Sequence, residues 1–263
     1  MTIHATGRPP GEPEECRIRI AAAGDMHYGG ARDRDRAKAA FASLAGRTDL
    51  VLLAGDLTTH GEPEQAAILA EAAAEAGAPV VAVLGNHDWH SNRAGELAAV
   101  LEEAGIVLLD RSHHVLEICG APVGIAGAKG FVGGFTGSHI PDFGEPLLRE
   151  VYAQGMEEVA ALDEALRAIA MCPFRIVLLH YAPTTETLEG ERRDIWAFLG
   201  TDRLAVPIAE HAPDLVLHGH AHAGTFSGAV GEVPVYNVSV PVMGEDWWVF
   251  EMTGAKRVPS EVH

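Results

Sequence analysis

The chain has 263 residues, 48% of them hydrophobic, which is enough for one large core or two small ones. Acidic residues number 37 against 19 basic ones, and the formal net charge of -18 repels polyanions and argues against a nucleic-acid-coating role. No apolar run reaches the roughly 20 residues that span a bilayer, and the N-terminus has no apolar signal core, so a cytoplasmic, membrane-free protein is expected. Cys16, Cys119 and Cys172 are far apart and odd in number. Their spacing implies neither a zinc knuckle nor a disulfide framework, and suits a reducing compartment.

In chain order, residues 1–15 carry Pro, Gly and Glu and read as a loose tail, with one domain over 16–263. A strand is predicted at Arg17–Ala23, a helix at Asp33–Leu44, and a second strand at Leu50–Ala54. Glu62–Ala76 is an Ala/Glu-rich helix with Pro63 in its first turn and Gly77 past its end. A strand at Val80–Leu84, a helix at Gly95–Ala104 and a short strand at Ile106–Leu109 complete a series of βα units. Such a series predicts a parallel sheet. Val115–Cys119 and Val123–Ala126 flank Gly120-Ala121-Pro122 and read as a hairpin. The Gly-rich stretch Lys129–Pro146 is long for a structureless loop, which favours a functional rim or lid. A helix is predicted at Glu150–Ala170, a strand at Phe174–Leu179, partial helix over Asp194–His211, and a strand at Leu215–His218. Short β segments follow near Thr225–Ala229, Val233–Val238 and Trp247–Met252.

Five polar clusters each stand at the carboxyl end of an apolar run: Asp25-Met26-His27, Gly55-Asp56, Gly85-Asn86-His87-Asp88, His180, and Gly219-His220-Ala221-His222. In open α/β sheets ligands bind at that edge. Asp, His and Asn are metal ligands, and the five clusters supply enough of them for two divalent ions. Each cluster alone has an ordinary explanation: Gly-Asp is common turn chemistry, and a strand-end histidine is often simply hydrogen-bonded. Their joint occurrence in this order is what points to a site.

Together the five motifs, spanning residues 25–222, resemble the calcineurin-like metallophosphoesterase superfamily. The resemblance implies a single-domain α/β fold, a four-layer α/β/β/α sandwich with two metals at one sheet edge. It implies that Asp25, His27 and His222 hold one metal, that Asn86, His180 and His220 hold the other, and that Asp56 bridges them. A carboxylate has two oxygens and can serve two cations, which agrees with that division. Two ions ~3.5–4 Å apart lower the pKa of water and furnish a hydroxide nucleophile, so no Ser or Cys nucleophile is needed. The mixed N/O donor set suits Mn, Fe, Zn or Co over Mg or Ca.

The resemblance makes His87 a catalytic residue, the acid for the leaving oxygen or a phosphate contact, with Asp88 expected on its other ring nitrogen. His218 is expected to point away from the metals. His90 and His139 are the other histidines placed nearest the pocket. Lys129, Arg149, Arg192 and Arg193 are candidate phosphate contacts. Protein phosphatases of the superfamily read Gly-Asp-x-x-Asp-Arg-Gly where this chain has Gly55-Asp56-Leu57-Thr58-Thr59-His60-Gly61, so their phosphate-binding Arg is absent. Purple acid phosphatases place a metal-binding Tyr where this chain has Thr59. What remains is similar to the bacterial phosphodiesterase branch. The expectation is a phosphodiesterase acting on a small phosphoester, cyclic nucleotides included. A phosphomonoesterase is the alternative, and a metal-free scaffold on the same fold the remotest reading.

Overall fold

A computed structural model describes residues 15–255. Residues 1–14 of the expected tail lie outside the described residues, and Glu15 already belongs to the first strand. Strand β1 (Glu15–Ala23), helix α1 (Asp33–Ala42), β2 (Leu50–Ala54), α2 (Pro63–Ala73), β3 (Val80–Val83), α3 (Ala94–Glu103) and β4 (Val107–Leu108) realise the predicted βα series. Gly77 ends the turn after α2 with φ 64°, the left-handed cap that its place in the sequence predicts.

Strands β5 (Ser112–Ile118) and β6 (Ala121–Gly127) form the expected hairpin. Its turn is Cys119-Gly120, both at positive φ, and not the predicted Gly120-Ala121-Pro122. A two-residue turn with both φ values positive matches the twist of the flanking strands. The Gly-rich stretch carries a small hairpin, β7 (Gly134–Phe135) and β8 (Ser138–His139). Helix α4 (Pro146–Ala168) starts four residues before the predicted boundary. Its first turn exposes Leu147 and Leu148, so no apolar period announces it, and Pro146 supplies the helical φ. Then follow β9 (Phe174–Leu178), α5 (Trp196–Leu199), α6 (Ala205–His211), β10 (Leu215–His218), β11 (Ser227–Val230), β12 (Val233–Asn237), α7 (Val240–Met243) and β13 (Trp248–Ala255).

The strands form two large sheets, ordered β13-β1-β2-β3-β4 and β11-β12-β10-β9-β6-β5. Period-two alternation sorts their side chains into three apolar layers. Ile18 and Ile20 of β1 meet Ile176 and Leu178 of β9 between the sheets. Ala21 and Ala23 face the other way, against Phe41, Leu69, Leu97 and Leu101 of α1–α3. Val177 and Val216 face Leu162, Leu166 and Ile208 of α4 and α6. Helices, sheet, sheet and helices therefore stack in the four-layer α/β/β/α order. No helix among the described residues is long and apolar enough to cross a membrane.

Cys16 and Cys119 form a disulfide with a Cα separation of 5.9 Å. This corrects the reading of the cysteines as an unpaired set. The fold brings the start of β1 against the β5–β6 turn across 103 residues of sequence, a proximity that cysteine spacing cannot reveal.

Candidate metal centre

Strands β1, β2, β3, β9 and β10 all run parallel within their sheets, and their carboxyl ends meet along one edge. Backbone hydrogen bonds stitch the loops that leave it. Asp25 N donates to Gly55 O at 2.9 Å, His27 N to Asp56 O at 3.1 Å, and Gly219 N to His180 O at 3.2 Å. His180 Nδ1 crosses between the sheets to Ala54 O at 2.8 Å.

Two groups of ligand atoms result, each with all members within 4.8 Å of one another: Asp25, His27, Asp56 and His222, and Asp56, His180 and His220. Asp56 belongs to both. Asn86 Oδ1 lies 2.8 Å from His180 Nε2 and so joins the second group. All seven residues singled out in the sequence as ligands are thus brought together. Four of the eight non-glycine residues at positive φ among the described residues are Asp25, His27, Asp56 and His220. Such conformations cost energy and persist where surrounding structure enforces them, characteristically at functional sites. The glycines of the motifs have a steric reason. A Cβ at Gly85 would strike Asp56, at Gly219 it would strike Asp25, and at Gly55 it would come within 2.6 Å of His180 Nδ1.

The electrostatics are those of a site short of positive charge. Burial drives the carboxyl of Asp25 up to about 6, with Asp56 nearby adding to the effect, against the hydrogen bond from His222 and the amide of His220. The same contact with Asp25 raises His222. Burial lowers His220 to about 3 and takes His180 well below the ordinary range, so both rings are neutral at pH 7. With Nδ1 of His180 donating to Ala54 O, its Nε2 carries a lone pair. That lone pair faces Asn86 Oδ1 at 2.8 Å and Asp56 Oδ1 at 3.3 Å. His220 Nε2 meets Phe198 O at 3.1 Å, which leaves Nδ1 as its free nitrogen. His27 Nε2 is buried without a hydrogen-bond partner. Converging lone pairs and an orphaned buried nitrogen are unfavourable together unless a cation lies among them, so these residues fit a metal centre.

His87 stands beside this centre. Its amide donates to Asp56 Oδ1 at 2.8 Å, its ring packs edge-on against His27 with centroids 4.6 Å apart, and its Nε2 lies 3.9 Å from Asp56 Oδ2. The partner of its Nδ1 is Thr59 O at 2.9 Å. The expected contact with Asp88 is not formed. Asp88 is buried and accepts from the amides of Leu57, Thr58 and Gly85 and from Thr58 Oγ1. It ties the Gly55-Asp56 loop to the Gly85-Asn86 loop. The sequence could not reveal Thr59 in the orienting role, because a main-chain carbonyl leaves no signature.

His218 points away as expected, with Nε2 2.8 Å from Thr187 Oγ1. His90 stacks on His87 at 4.3 Å, whereas His139 is held by Asp202 at 2.6 Å. Arg192 pairs with Asp194, and Arg193 lies over the ring of Trp196 at 5.4 Å. Lys129 lines a cavity of about 410 Å³ whose wall also includes Asn86, which puts it beside the centre.

Solved structures share this fold. The phosphopantetheinyl hydrolase of Mycobacterium tuberculosis superposes with a TM-score of 0.61 at 20% identity, covering 84% of this chain and 88% of that one. The protein TT1561 of Thermus thermophilus gives 0.57 at 21% identity, covering 92% and 100%. Among curated proteins no sequence matches the chain. The sequence model of calcineurin-like phosphoesterases matches residues 18–224, which include every strand-end cluster described above. The chain therefore belongs to the calcineurin-like phosphoesterase family, metal-dependent hydrolases of phosphoric esters.

Proposed function

We propose that the protein is a phosphodiesterase that works with two divalent ions of the Mn, Fe, Zn or Co type. The observation that carries the dinuclear reading is Asp56, whose carboxylate belongs to both groups of ligand atoms. Asp25, His27 and His222 would hold one ion, and Asn86, His180 and His220 the other. Bound there, the ions would polarise the phosphoryl group and activate water.

The chain's own residues supply the rest. Asp56 accepts the amide of His87 and so fixes the turn that carries both His87 and Asn86. Thr59 O holds the proton of His87 on Nδ1, which aims Nε2 at the centre. With Nε2 so aimed, His87 is the acid for the departing ester oxygen. Rigid placement by backbone stitching keeps these groups from reorganising during the reaction.

Preference for diesters rests on charge. A monoester dianion benefits from cations beyond the metals, and the Gly55–Gly61 stretch offers Thr59-His60 where protein phosphatases carry an arginine. One observation favours the monoester reading: Lys129, half-buried in the adjoining cavity, is such a cation. The deciding measurement is kcat/KM for matched aryl mono- and diesters with Mn present, alongside elemental analysis of the protein. A diester preference with two ions bound is expected. A tenfold monoester preference would overturn the diester reading, and activity without bound metal would overturn the mechanism.

A further inference from the structure

The cavity beside the centre does not end at Lys129. A second cavity, of about 260 Å³, shares Trp89, Asp110 and Lys129 with the first. The two differ in character. The near one opens on Asn86 and has aromatic walls in Trp89, Phe131 and Tyr181. The far one runs along the first turns of α3 and is walled by Leu84, Leu108 and Leu109 with Ala94 and Ala98. Trp89 stands at the junction, three residues after Asn86, with its amide on Asn86 O at 3.2 Å. Roughly half its surface is open, at 48%.

Charge at the junction is uneven. Arg111 is answered by Asp110 at 3.5 Å, Glu157 at 3.2 Å and Glu158 at 3.9 Å. Lys129 has no such close pair. Its ammonium donates to Gly130 O at 2.9 Å and rests over Phe131 at 4.5 Å and Tyr181 at 5.1 Å. No carboxylate of the described residues lies within ion-pairing distance of it. Glu158 and Asp110 act on this half-buried ammonium only from beyond ion-pairing distance, and Gly130 O takes one of its three donors, so an oxygen of a ligand would improve its setting. The order along the wall is therefore candidate metal ligands, the Lys129 ammonium, then a recess that is apolar except for Glu102 and Asp110.

We propose that the two cavities form one substrate channel for a phosphoester with an alkyl or acyl chain, its phosphoryl group at the metal centre, an oxygen against Lys129 and its apolar tail beyond Trp89. This rests on the phosphoesterase reading of the centre and adds what the ester carries. The far cavity has room for about eight groups of water size, at roughly 30 Å³ each, which sets the length of the probe.

Gly95 permits a clean test. It lines the far cavity, lies in the first turn of α3, and a Cβ there meets nothing within 4 Å. Gly95→Phe therefore places a ring at the edge of the recess with no backbone clash at Cβ, and replacing a helical glycine favours the helix. The metal-loaded protein is assayed on p-nitrophenyl methyl phosphate and p-nitrophenyl octyl phosphate. The expected ratio of kcat/KM, octyl over methyl, is tenfold or more, falling to about one in Gly95→Phe. A ratio near one in the parent protein, or a large ratio that survives Gly95→Phe, overturns the channel. Turnover of the methyl ester in that case leaves the phosphoesterase reading standing.

If neither ester turns over with metals bound, the phosphoesterase reading fails and binding alone decides the channel. Trp89 fluorescence, with Trp89→Phe as the blank, is titrated with methyl phosphate and octyl phosphate. Octyl phosphate should saturate at a tenfold lower concentration, a difference that Gly95→Phe abolishes. Lys129→Met should weaken both phosphates by tenfold or more. Equal affinities in the parent protein overturn the channel, and unchanged affinities in Lys129→Met overturn the place given to Lys129.

Discussion

Asp56 is held to within narrow limits by its neighbours: Gly85 leaves room for it, the amide of His87 binds Oδ1, and its own backbone adopts φ 49°. A neutral amide at this position cannot serve two cations, so Asp56→Asn is expected to abolish turnover and to lower occupancy of both ions by elemental analysis. Near-normal activity with two ions bound would remove Asp56 from the bridging role. His87 gives the opposite signature. Because its ring contacts Thr59 O and approaches the ligands without joining either group, His87→Ala should keep both ions and lose roughly 10²–10⁴-fold in turnover. The loss should shrink for p-nitrophenolate leaving groups, which depart without a proton. Falling metal content in His87→Ala would make it a ligand instead. The strand-end clusters were legible in the sequence because each follows an apolar run, and the resemblance to metallophosphoesterases singled out the seven candidate ligands among them. The partners of Asp88 were not legible. Three of the four are backbone amides, and those of Leu57 and Thr58 lie some thirty residues away, where no side-chain pattern encodes them.

Among the elements, the β7–β8 hairpin shows what sequence reading of a Gly-rich loop can and cannot give. Its length and composition suggested a rim or lid, and its root at Lys129 and Phe131 does line the channel. The hairpin itself is fastened elsewhere. Asp202 accepts from Thr136 N at 2.8 Å and Thr136 Oγ1 at 3.0 Å and pairs with His139 at 2.6 Å, while Arg203 donates to Ile140 O at 3.0 Å. Composition cannot show which distant residue answers a loop's donors. These bonds are partly exposed, so their combined contribution is modest. Asp202→Ala is expected to lower stability by about 1 kcal/mol in urea unfolding and to leave metal stoichiometry intact. A loss of bound metal would mean that the hairpin supports the centre after all. Helix α4 carries the same lesson at its start, where exposed Leu147 and Leu148 break the period on which helix boundaries are read.

For the molecule as a whole, the two sheets meet at the centre, since Asp25, His27, Asp56 and Asn86 follow strands of one and His180, His220 and His222 follow strands of the other. Ions bound there stabilise the native state alone, by about 4 kcal/mol when present at 1,000 times their dissociation constant. Chelation is therefore expected to lower Tm by about 10 °C in a calorimetric scan, at 2–4 °C per kcal/mol for a domain of this size. An unchanged Tm would show that the groups of ligand atoms hold no tightly bound metal.

The disulfide between Cys16 and Cys119 lies at the other end of the same inter-sheet layer, where β1 begins and β6 has yet to start. The apolar seam between the sheets is thus pinned covalently at one extremity, and ions in the candidate centre would pin it by coordination at the other. Loss of one pin leaves the sheets hinged about the remaining one. Reduction alone should splay the end remote from chemistry and spare turnover, whereas chelation alone should loosen the catalytic end. Only the doubly released protein is free to slide one sheet over the other, so the two treatments together should accelerate hydrogen exchange in β1 and β9 beyond the sum of their separate effects.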